Sequence, residues 1–279
     1  GCTHFERIDP RTGRKMNLCY RTYRLRARCV YEMFCSFLTT KGGEQLTPAL
    51  LVRSGKGRPN WVSPLECQKL ATGTSIFECC ENNHTVIKEC RRPLCLKSFD
   101  EMIERRARSL FASKNFAEAR FSLCLRNYWC RGLIKDETMM SWGSLQDFRR
   151  YLLWHPILDN EWIDREGFPL LTFSAVSGCI EVVRHCLKGI EKISDLKTRL
   201  KCLRGQIPVQ GLVGMGMTGN CTALIAAVFS DPSVVSLLLK HGADPYECDA
   251  AGNHKNSLLR QSDGLNVSYF CISQRFHAC

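Results

Sequence analysis

No apolar run in the 279 residues approaches the roughly 18 that a bilayer-spanning helix needs, so no membrane insertion is expected. The Gly-Lys-Ser/Thr ending of a phosphate loop is missing. Residues 213–220 (VGMGMTGN) carry the glycines without it. The 18 cysteines lack a framework spacing, and the chain is too long for a disulfide-stapled miniprotein. Most of them therefore read as small reduced hydrophobes of an intracellular protein, cytoplasmic or nuclear. The two short-spaced cysteine pairs of zinc ribbons and fingers are also absent. Cys79, Cys80, His84, Cys90 and Cys95 form the densest group of metal-binding types, but in no clean pattern. Nucleophilic catalysis needs a Cys or Ser beside an oriented His. His155, His185 and His241 fall in helical or loop segments that read as packing or surface. No catalytic residue, cofactor or metal is assigned, and the chain reads as a non-enzyme.

Acidic residues are scarce near the start. Residues 1–99 hold 17 Lys/Arg against 8 Asp/Glu, and residues 100–279 hold 22 against 19. A basic front segment suits nucleic acid or an anionic surface, and equally a solvated arm. Residues 21–38 read as a helix with a basic start and an apolar end. Most of residues 1–99 shows no periodic apolar face, and a basic, Cys-rich segment of low order is expected there. A start at Gly1 rather than Met is what a fragment would show.

Periodicity sharpens at Asp100. Ser98 and Asp100 are candidate helix caps, and Ile103, Ala107, Leu110 and Phe111 recur at helical spacing. Residues 113–115 (SKN) break that helix, and Phe116, Ala119 and Leu123 mark a second. Residues 144–154 predict a third, with Leu145, Phe148, Leu152 and Leu153 on its buried face. Residues 100–163 are therefore expected to be a helical capping region.

Two stretches repeat. Residues 164–187 (DREGFPLLTFSAVSGCIEVVRHCL) and 218–252 (TGNCTALIAAVFSDPSVVSLLLKHGADPYECDAAG) share an order of turn, short helix, turn and longer helix. In the first, Asp164 and Gly167 open the unit, Leu171 and Ala175 sit in the inner helix, and Gly178 makes the turn. Val182, Val183 and Leu187 then line the outer helix. In the second, Thr222, Leu224 and Ala227 precede Val234, Val235, Leu237, Leu238 and Leu239. Gly242, Ala243, Asp244 and Pro245 make the exit, and Asp249 and Gly252 open a third unit. Both stretches resemble ankyrin repeats. From Asn220 to Gly252 is 32 residues, against about 33 for that family. From Gly167 to Asn220 is 53, which implies an insertion at 188–217 with a short helix at 193–203. Residues 152–167 align without gaps on 237–252 and share Leu152, Leu153, Asp159, Asp164 and Gly167. They hint at a degenerate leading repeat. After Gly252 the pattern fails, and residues 261–279 read as an irregular tail.

The resemblance implies a mainly α fold: a short ankyrin-type helical solenoid over 164–260, with a helical N-terminal cap and a poorly ordered N-terminal segment. It implies a scaffold or adaptor whose loop tips and inner-helix surface bind another protein. Carried onto this sequence, the contacts are Arg165, Glu166, Phe168, Val176 and Ser177 in the first unit. Thr218, Cys221, Phe229 and Ser230 serve the second, and Ala250, Ala251 and Asn253 open the third. Two alternatives stand beside this. One is a nucleic-acid- or zinc-binding protein using the basic front segment, and the other is a regulatory piece of a larger enzyme. Oligomeric state stays open. The stack implies that the insertion leaves it as a loop. It also implies that Leu145, Phe148, Leu152 and Leu153 cover Val182, Val183 and Leu187.

Overall fold

The computed structural model describes residues 5–8, 13, 15–18, 26–41, 44–45, 50–51, 60–61, 71–81, 83–85, 88–133, 142–215, 220–227, 230 and 232–244, and these are mainly helical. Contacts divide the chain into two units. One is residues 1–109 with 129–139, and the other is residues 110–128 with 140–279. The division falls inside a helix, not at the expected residue 99.

The first unit opens with antiparallel strands β1 (Phe5–Ile8) and β2 (Lys15–Leu18). Helix α1 (Ala27–Leu38) follows. The short antiparallel pairs β3 (Thr40–Lys41) with β4 (Glu44–Gln45), and β5 (Leu50–Leu51) with β6 (Asn60–Trp61), come next. Then come α2 (Glu78–Glu81) and α3 (Arg92–Ala112). Low order across residues 1–99 was expected, but among the described residues α1, Phe77 and Phe99 are packed into a core. Ala27, Val30, Met33, Phe34, Phe37 and Leu38 recur every three or four residues and are all buried. Phe34 sits edge-on to Phe99 (5.4 Å) and to Trp129 (6.0 Å), and Phe37 sits edge-on to Trp129 (5.7 Å). Such pairs add about 0.5–1.5 kcal/mol each beyond the area they bury. The core was hidden from a linear reading because its partners, Phe99 and Trp129, lie far along the chain.

Helix α3 starts at Arg92, before both proposed caps, so Ser98 and Asp100 lie inside it. Pro93 fits its first turn, where no backbone N–H is needed. Arg92 has a second task. The Thr72–Thr74 turn passes against residues 131–133 so closely that a Cβ on Gly73 would overlap the Leu133 nitrogen and the Arg131 carbonyl. Arg92 Nη1 donates to both Gly73 O (2.8 Å) and Gly132 O (2.6 Å).

In the second unit α4 (Phe116–Cys124) is capped by Asn115, whose side chain accepts from Glu118 N and donates to Glu118 Oε2. Next come α5 (Arg126–Trp129), α6 (Leu145–Tyr151), and the antiparallel pair β7 (Pro156–Ile157) and β8 (Asn160–Asp164). Helices α7 (Leu170–Ser177), α8 (Ile180–Glu191) and α9 (Leu196–Arg204) follow. The chain then makes a three-ten segment (Val209–Met215) and ends its described part with α10 (Ala223–Ala226) and α11 (Pro232–Lys240). Helices α4, α7 and α10 adjoin in that order, and so do α6, α8 and α11. Gly167, Gly178 and Gly242 have positive φ, as their repeat positions require. Thr222 caps α10 by accepting from Ile225 N, whereas Pro169 takes the same place before α7 and has no hydroxyl to offer.

Helix α6 packs on α8 with Phe148 and Leu152 fully buried, as expected, and Leu145 is half-buried. Leu153 is corrected. The helix ends at Tyr151, Leu153 adopts φ +47, and its side chain is 53% exposed. Trp154 turns inward instead, edge-on to Phe173 at 6.0 Å.

The insertion is also corrected. It does not project as a loop. Cys202, Ile207, Leu212 and Met215 are all buried. Cys202 accepts from Asn160 Nδ2 on β8. Ile207 and Cys221 exchange backbone hydrogen bonds at 2.9 Å. The three-ten segment lies on α4, where Ser122 Oγ meets Met215 Sδ. These apolar residues fill the space beside α4 and α7 that the stack alone leaves open.

Candidate interaction surface

The turn from β8 into α7 is built on Asp164. Its backbone N–H donates to Phe168 O, and its carbonyl accepts from Gly167 N. Its Oδ1 accepts from Phe168 N at 2.7 Å. Arg165 N donates to His155 O, which ties the turn to the start of β7. The tip residues Arg165 and Glu166 are exposed and Phe168 is half-buried.

Beneath the tip lies a charge pair. Arg120, in the middle of α4, is 1% exposed, yet it points its guanidinium at Asp164, which is fully buried. Arg120 Nε donates to Leu152 O (3.1 Å) and Nη2 donates to Leu153 O (3.2 Å). These carbonyls end α6 and would otherwise lack partners. The guanidinium also lies 5.2 Å from the ring centre of Trp154. Burial pushes the Asp164 carboxyl up to about 6, against the pull of the Phe168 N–H and the Arg120 charge. One side chain thus joins α4, the end of α6 and the turn before α7. Sequence reading assigned no role to Arg120. The available signal was the pair of charges, Glu118 and Arg120, inside the otherwise apolar run of residues 116–125 (FAEARFSLCL).

The proposed contacts divide. Arg165, Glu166, Phe168 and Ser230 are open to solvent, fully or in part. Val176, Ser177 and Cys221 are corrected: they are 1%, 2% and 0% exposed. Every residue of α7 is buried, because α4, α8, α9, α10 and β8 all pack on it. The face that an unadorned stack would leave bare is covered. Ser177 O instead accepts from Asn127 Nδ2. Thr218, Phe229, Ala250, Ala251 and Asn253 lie outside the described residues.

Three buried sulfurs of the second unit are held as thiols. Burial raises the thiols of Cys124 and Cys221 well above the ordinary value, and it pushes Cys186 up to about 12. Reactivity belongs to the thiolate. Brief iodoacetamide treatment of the native chain is therefore expected to leave these three unmodified, and denaturation should expose them. Mass spectrometry of tryptic peptides reads this directly, and native labelling of all three would contradict their burial.

No helix among the described residues is long and apolar enough to cross a membrane. The family model for the ankyrin repeat matches residues 219–250. Among curated proteins nothing matches the chain, and among solved structures nothing does. The matched span holds the Thr222 cap, the small residues Ala226 and Ala227 against the neighbouring helix layer, and the Val234, Val235 and Leu238 row. Residues 219–250 are thus similar to an ankyrin repeat, the one repeat that the family model detects.

Proposed function

We propose that the second unit is a short ankyrin-type solenoid that serves inside the cell as a protein-binding adaptor, without chemistry of its own. Helices α4 and α6 act as its leading unit and cover the end of the row formed by α7 and α8. The contact order of α4, α7, α10 and of α6, α8, α11 supports this reading. One observation carries the binding surface. The Arg165–Phe168 tip is presented to solvent while its base is fixed by Asp164 and the buried Arg120. A rigid, exposed tip loses little conformational entropy on binding. The recognition surface is therefore the turn tips, with Arg165 and Glu166 supplying charge and Phe168 an apolar anchor. The filled flank of α7 does not take part.

A photo-crosslinking residue placed at Arg165 of the full chain should capture a partner protein. The same residue at Arg184, on the exposed side of α8, should not. Arg165→Glu should weaken that partner's binding by about tenfold or more, with the melting temperature unchanged. Equal capture at both positions, or unchanged binding by Arg165→Glu, would remove the tip from the interface.

A further inference from the structure

The first unit gathers thiols and an imidazole that no role described so far uses. Helix α2 carries Cys79 and Cys80 side by side. After it the chain turns back through Asn83 (φ +46) and His84 (φ +57), two consecutive left-handed residues. His84 N donates to Cys79 O at 2.8 Å, which closes the turn over the helix. Cys90 arrives from the segment leading into α3. The ligand atoms of Cys79, His84 and Cys90 all lie within 4.8 Å of one another. Cys80 Sγ lies 3.9 Å from Cys79 Sγ and 3.9 Å from Cys90 Sγ. A tetrahedral zinc with Zn–S bonds of about 2.3 Å separates its sulfurs by about 3.8 Å. A second observation points the same way. Nδ1 of His84 is buried and has no hydrogen-bond partner among the described residues. A buried imidazole nitrogen without a partner costs stability unless something coordinates it.

We propose that Cys79, Cys80, His84 and Cys90 bind one Zn²⁺ ion in a closed, structural site. The spacing of this group is not that of paired knuckles, which left zinc binding as an alternative rather than an assignment in the sequence. The left-handed turn supplies what the spacing lacks, since it brings His84 back beside Cys79 and Cys90. Three thiolates and one imidazole complete a tetrahedron with no open position, so the ion is structural rather than catalytic. Binding releases the thiol protons and ties α2 to the segment that begins α3.

The test uses the full chain, expressed with added zinc, kept reduced and desalted. Metal analysis should find about one zinc per chain. Exchange into Co²⁺ should give the intense visible absorption of a tetrahedral site and a thiolate-to-cobalt charge-transfer band. His84→Ala and Cys90→Ser should each lower zinc retention by more than about tenfold. Cys124→Ser, a buried thiol of the other unit, should retain it. The cobalt spectrum of the unaltered chain keeps the test decisive even where a variant fails to fold. A folded chain without zinc, the spectrum of aqueous cobalt, full retention by both ligand variants, or a Cys80–Cys90 disulfide in protein never exposed to oxidant would each overturn the site.

Discussion

Arg120→Met is expected to destabilise the chain by about 3–5 kcal/mol, because it breaks a buried ion pair by removing one partner. Arg120 and Asp164 are 1% and 0% exposed, so neither group can turn to water when the other is lost. Met fills much of the same volume, which keeps the cavity contribution small. What remains is a buried carboxylate and the two carbonyls of Leu152 and Leu153 without their donor. The defect has a pH signature. In the folded chain the Asp164 carboxyl is raised from 3.8 to about 6, chiefly by burial. A carboxyl raised on folding contributes stability below its unfolded value and loses that contribution as pH rises through its folded value. The Arg120 charge opposes the rise, so without it the folded value climbs further. The gap between Arg120→Met and the unaltered chain should therefore widen as pH rises through about 6, where Asp164 of the unaltered chain ionises and that of the variant does not. Asp164→Asn strands the arginine instead. The double variant should recover much of either loss, since a neutral pair leaves no charge uncompensated. Urea unfolding followed by circular dichroism measures all four proteins. A single-variant loss below about 1 kcal/mol would mean that water reaches the pair.

Gly73→Ala should be nearly as damaging, at about 3 kcal/mol or more, and for a different reason. The added methyl meets main chain, the Leu133 nitrogen and the Arg131 carbonyl, rather than a side chain that can swing away. Relief requires the two segments to part. Parting them costs the bonds from Arg92 to both carbonyls, and hydrogen bonds to a charged donor contribute about 1.5–3 kcal/mol. Gly167→Ala gives the useful contrast. Its φ is +86, but the Cβ enters open space, so only backbone strain of about 1–2 kcal/mol is expected. Thermal melts of the two variants separate close approach from strain. Equal small losses would mean that the Gly73 crossing is loose.

The repeat was legible because its residues answer to local rules. Thr222 caps, Gly178 and Gly242 turn, and the Val234, Val235 and Leu238 row packs on the neighbouring helix whatever lies beyond. Exposure was not legible. Whether Val176 and Ser177 face water depends on what the insertion and α4 do, and neither segment carries a repeat pattern. Helix α1 shows the same limit: its apolar face is periodic, but the aromatic partners that make it a core come from Phe99 and Trp129. Arg120 was missed because a charge in an apolar run reads as surface until its partner is known.

The return of the insertion to α4 changes how the fold is made. A plain repeat array is held by nearest neighbours, so it assembles from any point and grows along the chain. Here Ser122 touches Met215 across 93 residues. On the ribosome, α4 keeps an uncovered flank until Met215 has emerged, although every helix between them is already available. Long-range closure of this kind slows folding and prolongs exposure of apolar surface. The finished unit is therefore a loop sealed late in synthesis, and truncation anywhere before Met215 leaves its first helix unsealed.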